Sequence, residues 1–317
     1  MRVEPDAQGA VDDRTGLLER MRGVLDRAEL APPPGEGLRR PAAVEAVHTV
    51  QRALRSGPLA PDRRRTLADL FDRMTPPAFG PAGPRDHLRR SVTRALRAIP
   101  AAEGVDARPA GVEVAAWHAA ERAVLAEAVS LLTGVWPESA AETRETVVEI
   151  ALLEGRSIDG FTDFTVHGAV LINRKRLATS DAGLPGPVRC AEALVHEGAH
   201  TRCNAAALKE PFLLPDRPTG SAGSDASGRR GHLLVATPLR ADPRPLTGLF
   251  QQTVVLARSV LLYRRLDGLG PAVEARHERL LGSAHQAVNT LTAHAEALTA
   301  HGRQVLAECA AVLKEPA

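Results

Sequence analysis

The chain has 317 residues, of which 44% are hydrophobic and 25% are charged, as in an ordinary globular protein. This composition excludes wholesale disorder, a collagen-like fibre and a polytopic membrane protein. The 40 basic and 38 acidic residues leave a formal charge of +2, and only 3% of the residues are aromatic. Neither value is typical of a nucleic-acid-binding protein. No run approaches the roughly 18 apolar residues of a transmembrane helix, and the N-terminus has no apolar signal segment. We therefore expect no nucleic-acid and no membrane partner.

The cysteines indicate the cellular compartment, and a change in sequence composition indicates the domain boundary. Cys190, Cys203 and Cys309 are scattered and odd in number, which indicates a reducing cytoplasm rather than a disulfide framework. We therefore predict a cytoplasmic protein. The composition and the pattern of apolar residues change near residue 103. We therefore predict a helical region rich in Pro and Arg over 1–103 and an HExxH metal-dependent catalytic domain over 104–317.

Amphipathic spacing and proline breaks predict the elements of the first region. The predicted helices cover residues 12–29, 42–55, 62–73 and 85–98.

The second domain is predicted to be helical with one short β element. Helices are predicted over 111–133, 139–153 and 185–207. Two β-type runs, 161–166 and 169–172, flank His167 and Gly168 and predict a hairpin, with His167 as a turn residue. Beyond it, the predictions are a Gly/Ser-rich loop over 220–231, an extended segment over 237–245 and helices over 246–266, 271–300 and 303–314.

One motif in this domain carries chemistry. His196-Glu197-Gly198-Ala199-His200 fits H-E-x-x-H and lies inside the predicted helix 185–207. The i, i+4 spacing places both imidazoles on one face of the helix, with Glu197 beside them. The sequence therefore predicts a metal site with His196 and His200 as ligands, and the open alternative is a pair of ordinary helix histidines. The predicted fold class is mainly α (α+β): a helical domain with a small β-hairpin next to an HExxH metal-binding helix.

The residues alone leave the third ligand open. The metzincin extension requires Gly and His after the motif, but Cys203 and Ala206 occupy those positions. A glutamate ligand on a following helix is missing, because residues 211–251 contain no Glu. Asp225 and His232 are weaker candidates, since a surface loop is the simpler interpretation of their surroundings. Cys203 is expected to be a buried helix cysteine.

The motif helix, together with Asp242-Pro243-Arg244-Pro245 at the start of a later helix, resembles a known family. It is similar to the HExxH-motif family of 2-oxoglutarate- and Fe(II)-dependent peptide β-hydroxylases associated with ribosomally synthesised, post-translationally modified peptides. The resemblance covers roughly residues 110–317. It implies an oxygenase that hydroxylates a side-chain Cβ in a ribosomally made precursor peptide, with Fe(II) and 2-oxoglutarate as cofactors.

The resemblance also implies roles for individual residues. In that family's pattern, His196 and His200 bind Fe(II). Glu197 does not bind the metal directly but orients one of its ligands or the active water. The family's third histidine falls on Gln251 in this sequence. A Gln amide oxygen is a weaker iron ligand than imidazole.

The distal carboxylate of 2-oxoglutarate requires a cation, and Arg supplies a bidentate fork. Arg244 is the first choice because prolines flank it, and Arg240 is the second.

Two other functions stay open at this point. In a zinc metallohydrolase or peptidase, Glu197 would activate the water bound to Zn(II). The chain is alternatively a catalytically impaired scaffold that binds an acidic leader peptide through its Arg-rich surface, and the replacement of the expected histidine by Gln251 favours this interpretation.

Overall fold

The computed structural model describes residues 1–99, 111–215, 234–238 and 240–314. Over these ranges the chain forms ten α-helices and seven short strands, so the predicted mainly α fold class is confirmed. Its contacts divide the chain into two compact units, Asp6–Ala205 and Met1–Pro5 with Ala206–Ala317. None of the helices in the described ranges has both the length and the apolar character that crossing a bilayer requires.

The described residues of the unit Asp6–Ala205 form seven α-helices and a five-stranded sheet. The helices are α1 (Ala7–Arg27), α2 (Pro41–Leu54), α3 (Pro61–Asp72), α4 (Asp86–Arg97), α5 (Ala119–Val135), α6 (Pro137–Thr146) and α7 (Gly186–Lys209), which runs past the boundary of the unit. The strands are β1 (Gly80–Ala82), β2 (Glu113–Ala115), β3 (Glu149–Glu154), β4 (Gly160–Thr162) and β5 (Ala169–Asn173).

The four helices predicted in the first region are confirmed as α1 to α4. Helix α1 buries Leu17, Met21, Val24 and Leu25, because apolar residues three and four positions apart lie on one helix face. Helices α2 and α3 begin with proline at their first position, where its missing N–H costs no hydrogen bond.

The sheet has the strand order β1-β3-β5-β4, and β2 pairs with β3 outside this path. Strand β3 is parallel to β1 and β5, whereas β4 is antiparallel to β5, with Phe161 opposite Leu171. The predicted hairpin is confirmed in part as β4 and β5: the first run, 161–166, is a strand only as far as Thr162, and the pair belongs to a larger sheet. His167 lies between the 3-10 helix Phe164–Val166 and β5, and it is buried.

Two of the helices predicted in this unit were wrong in part. The predicted helix 139–153 ends at Thr146, and its remainder is β3. Strand β3 is buried on both faces, so it reads as a continuous apolar run that periodicity cannot separate from a buried helix. The predicted helix 111–133 begins only at Ala119, because β2 occupies its first residues and pairs with β3.

The two faces of the sheet contact different helices. Ile150, Leu152, Val170 and Ile172 pack in one cluster with Leu194 and its neighbours on α7 and with residues of α5. On the opposite face, a second cluster joins the sheet to α4 through Ala151, Leu153, Leu171, Leu88 and Val92. Helix α7 is thus packed on a rigid, buried sheet.

The other unit contains α8 (Leu246–Arg265), α9 (Pro271–Thr292), α10 (Ala300–Lys314) and a hairpin of β6 (Leu234–Thr237) with β7 (Arg240–Pro245). The extended segment predicted over 237–245 is confirmed for Thr237 and for Arg240–Pro245, but these lie on two paired strands with a turn residue at 238. The predicted helix 271–300 was wrong beyond Thr292, because Thr299 accepts a hydrogen bond from the Gly302 N–H (3.0 Å) and caps a separate helix, α10.

The predicted boundary after residue 103 does not separate two sheets or cores. Strand β1 precedes it and pairs with β3, which follows it, and both belong to the unit Asp6–Ala205. A functional division between residues 1–103 and 104–317 stays a prediction.

His167 makes the stability of this unit sensitive to acid. Burial, together with the nearby His48, lowers its pKa from 6.5 to about 4. The unfolded chain therefore takes up a proton before the folded chain does, and stability falls as the pH drops from about 6.5 towards 4. This residue alone contributes a slope of up to about 1.4 kcal/mol per pH unit.

We expect His167→Gln to flatten the pH dependence of the free energy of unfolding between about pH 4 and 6.5, because Gln does not titrate. The measurement is urea unfolding followed by tryptophan fluorescence, since Trp117 and Trp136 are the chain's two tryptophans and lie in the same unit. Equal slopes for the variant and the wild type contradict this account.

Candidate metal site

Helix α7 carries the HExxH motif, as predicted. A Cβ on Gly186 would overlap the carbonyl oxygen of Leu177, so glycine permits the first turn of α7 to pack against that segment. Ala193, Leu194 and Val195 are buried just before the motif. His196, His200 and Asn204 are partly exposed, and their spacing of four places them along one stripe.

The structure brings the two motif histidines together. The ring centroids of His196 and His200 lie 5.1 Å apart, with an angle of 60° between the ring planes. Both rings are partly exposed, whereas Glu197, Gly198 and Ala199 between them are buried. Two imidazoles one helical turn apart on an accessible stripe are an arrangement that binds a metal ion.

Glu197 is the buried acid of the site. It is 4% exposed, and burial raises the pKa of its carboxyl to about 8, although the charge of Arg176 acts in the opposite direction. Within the described ranges, its Oε2 atom has no hydrogen-bond partner. Its Oε1 atom lies against β4, since a Cβ built on Gly160 would be 2.8 Å from it. The glycine on β4 leaves room for this carboxyl group.

Arg202 fixes α7 from the side opposite its exposed stripe. The guanidinium is 2% exposed and forms ion pairs with Asp13 on α1 and, at 3.6 Å, with Glu142 on α6. The Glu142 carboxylate also accepts a hydrogen bond from the Asp6 N–H at 2.8 Å. Sequence reasoning missed this cluster, because its members are far apart in the chain and carry no local motif.

The described His, Cys, Asp and Glu residues supply no group of three that could hold a metal ion. Cys203 is buried, as expected for a helix cysteine. Glu192, one turn before His196, is also buried, and its carboxylate lies 3.8 Å from the guanidinium of Arg176. Asp225 and His232 lie outside the described residues. In the described part of this unit, His196 and His200 are the predicted ligands that the structure brings together, and their binding of a metal and a third ligand both stay predictions.

The remaining predicted site residues belong to the other unit. Gln251 lies in α8 and is partly exposed, and Arg244 lies in β7 just before that helix and is also partly exposed. Arg240 begins β7, and its side chain lies outside the described part of the chain. Their assignment to metal and 2-oxoglutarate stays a prediction.

Comparison with known proteins adds no family to these observations. No protein-family model and no curated protein matches the chain.

The residues present fit a divalent transition metal. Imidazole nitrogens suit Fe(II) and Zn(II), and the histidines at 196 and 200 present two of them on one stripe. A carboxylate buried without a hydrogen-bond donor is costly, and a cation bound beside Glu197 would stabilise its charged form.

We expect the wild-type protein to bind one Co(II) ion per chain, and His196→Ala or His200→Ala to weaken this binding more than about 100-fold, because each removes a direct ligand rather than a neighbouring group. Co(II) absorbance titration measures the affinity. His285→Ala is the matched control, since His285 is exposed on α9. Equal affinities in the wild type and the His200→Ala variant contradict the site.

Proposed function

We propose that the chain is an Fe(II)- and 2-oxoglutarate-dependent oxygenase that hydroxylates a side-chain Cβ in a ribosomally made precursor peptide. The observation that carries the proposal is the pairing of His196 and His200 on the accessible stripe of α7, with the carboxyl of Glu197 buried beside them. The resemblance of the motif and of the Asp242–Pro245 block to the peptide β-hydroxylases supports the type of reaction.

The protein's own residues have distinct tasks in this proposal. His196 and His200 would hold Fe(II), which when bound would allow dioxygen to hydroxylate the peptide while 2-oxoglutarate is oxidised to succinate and CO2, with one oxygen atom going to each product. Glu197 orients the ligand environment and balances the charge of the metal. The packing of α7 on the sheet holds these side chains in place, because buried apolar contacts on either side of the motif restrict movement of the helix.

Three further assignments belong to the proposal and rest on the resemblance. Gln251 is the third ligand, and Arg244, with Arg240 as second choice, binds the distal carboxylate of 2-oxoglutarate. Because an amide oxygen binds iron more weakly than imidazole, we expect weak retention of iron during purification.

A zinc peptidase is the second candidate, and one observation favours it. The Glu197 carboxyl is buried next to both histidines without a hydrogen-bond partner for Oε2 among the described residues. A carboxylate in such a position can act as the general base that activates a zinc-bound water. The two candidates differ in metal, in cosubstrate and in product.

A peptide library separates the candidates. We expect protein reconstituted with Fe(II), 2-oxoglutarate and oxygen to convert members of a synthetic decapeptide library into products that carry one added oxygen atom, as seen by mass spectrometry. His196→Ala should abolish this product, because it removes a metal ligand. Omission of 2-oxoglutarate is the matched chemical control.

Cleaved peptides formed with Zn(II) and without 2-oxoglutarate would contradict the oxygenase and support the peptidase. Peptide binding without any change in mass under either condition would contradict both enzymes and support the scaffold interpretation.

A further inference from the structure

Strand β4 forms an edge of the five-stranded sheet. It is the last strand in the order β1-β3-β5-β4, and β5 pairs with one side of it. All three residues of β4 are partly exposed, whereas all five residues of β5 are buried. In the part of the chain that the structure describes, no strand pairs with the other side of β4.

The backbone groups that point outward from β4 can be identified. The Asn173 N–H donates a hydrogen bond of 3.0 Å to the Asp159 carbonyl, which makes these two residues a hydrogen-bonded pair. Because such pairs alternate along an antiparallel ladder, Phe161 and Leu171 form the next one. The N–H and C=O groups of Gly160 and Thr162 therefore point away from β5. Among the described residues, no backbone group outside the strand ladder donates to or accepts from these groups.

Gly160 and Thr162 have their Cβ positions on the face of the sheet that packs against α7. Gly160 lies opposite Ile172, and Ile172 packs in the cluster that contains Leu194 of α7. The contact between Gly160 and the Glu197 Oε1 atom agrees with this direction. Directly opposed residues on adjacent strands point to the same face of a sheet. A strand added about 4.8 Å outside β4 would therefore direct the side chain opposite Gly160 towards the face that bears Glu197.

We propose that the outer edge of β4 binds the substrate peptide as an added β-strand, with the residue to be modified opposite Gly160. This inference rests on the proposed function, since it identifies the substrate as an extended peptide. Strand addition uses backbone hydrogen bonds for affinity and alternate side chains for selectivity. It also presents a Cβ to the motif side of the sheet, which a Cβ hydroxylase requires.

Glycine at position 160 supports the placement of the residue to be modified opposite this position of β4. The position has no side chain of its own, so the Glu197 carboxyl itself lies against β4 there, with its Oε1 atom 2.8 Å from where a Cβ would be. The next residue with the same orientation, Thr162, lies farther along the strand. A side chain of the added strand that lies opposite Gly160 would therefore have the Glu197 carboxyl, and no side chain of β4, as its neighbour.

A second copy of this chain is a poorer occupant of the edge. Strand β4 has three residues, and short edge strands are a device by which proteins avoid pairing with copies of themselves. Asp159 and Asp163 flank the strand, and both already form ion pairs, with Lys175 and Arg94 respectively.

Thr162→Pro tests the proposal directly. Proline removes the outward N–H and is tolerated at edge positions where that N–H faces solvent, whereas Thr162→Val keeps the N–H and is the matched control. In the peptide-library reaction we expect Thr162→Pro to lower product formation about tenfold or more, and Thr162→Val to stay within about twofold. We expect both variants to keep the wild-type Co(II) affinity and the wild-type unfolding curve, followed by tryptophan fluorescence. These two controls test whether the fold and the metal site persist.

Amide hydrogen exchange of the wild-type protein gives a second readout that requires no turnover. With the same peptide library at millimolar concentration, we expect slower exchange at the amides of Gly160 and Thr162, and no added protection at Phe161, whose N–H is already paired with β5. Protection of these two amides without any product would support the strand edge while contradicting the proposed function.

Two outcomes would overturn the proposal. One is product formation in Thr162→Pro at the wild-type level, with no protection of Gly160 and Thr162, which leaves the proposed function intact. The other is protection of these amides that rises with protein concentration in the absence of peptide, because that result assigns the edge to a second copy of the chain.

Discussion

The buried carboxyl group of Glu197 is the constraint on which the candidate site depends. Burial of a carboxylate without hydrogen-bond donors is unfavourable by several kcal/mol, and in the described ranges nothing donates to its Oε2 atom. The raised pKa keeps this carboxyl largely in its neutral form near pH 7, and its ionised form requires a compensating positive charge. In the proposed function a cation bound at the two neighbouring histidines would stabilise the charged carboxylate.

The surrounding structure holds that carboxyl in a fixed position. Leu194 and its neighbours anchor α7 on the sheet, Gly160 gives the carboxyl room, and Arg202 ties the helix to α1 and α6 through Asp13 and Glu142. Breaking one partner of such a buried ion pair typically costs about 3–5 kcal/mol. The orientation of the motif thus depends on α1, which shows that residues before position 103 support the site structurally.

The sequence was informative where local rules decide the structure. Proline at the start of α2 and α3 and the spacing of apolar residues in α1 predict helices without knowledge of the fold, and the HExxH spacing alone brings His196 and His200 to one stripe. Strand β3 was missed because a strand buried on both faces has no alternation to detect. Strand β1 was missed because Gly80-Pro81-Ala82 becomes a strand only by pairing with β3. The contacts of Arg202 and of Gly160 join residues distant in sequence, and no local pattern encodes them.

The most direct test of the central claim is an anaerobic titration of the Fe(II)-loaded protein with 2-oxoglutarate, followed by visible absorbance. The account predicts a metal-to-ligand charge-transfer band that saturates with 2-oxoglutarate and is lost in His196→Ala, because cosubstrate and histidine must bind the same iron. The absence of this band in a protein that retains Zn(II) instead of Fe(II) would contradict the oxygenase and leave the peptidase or the scaffold as the function of this fold.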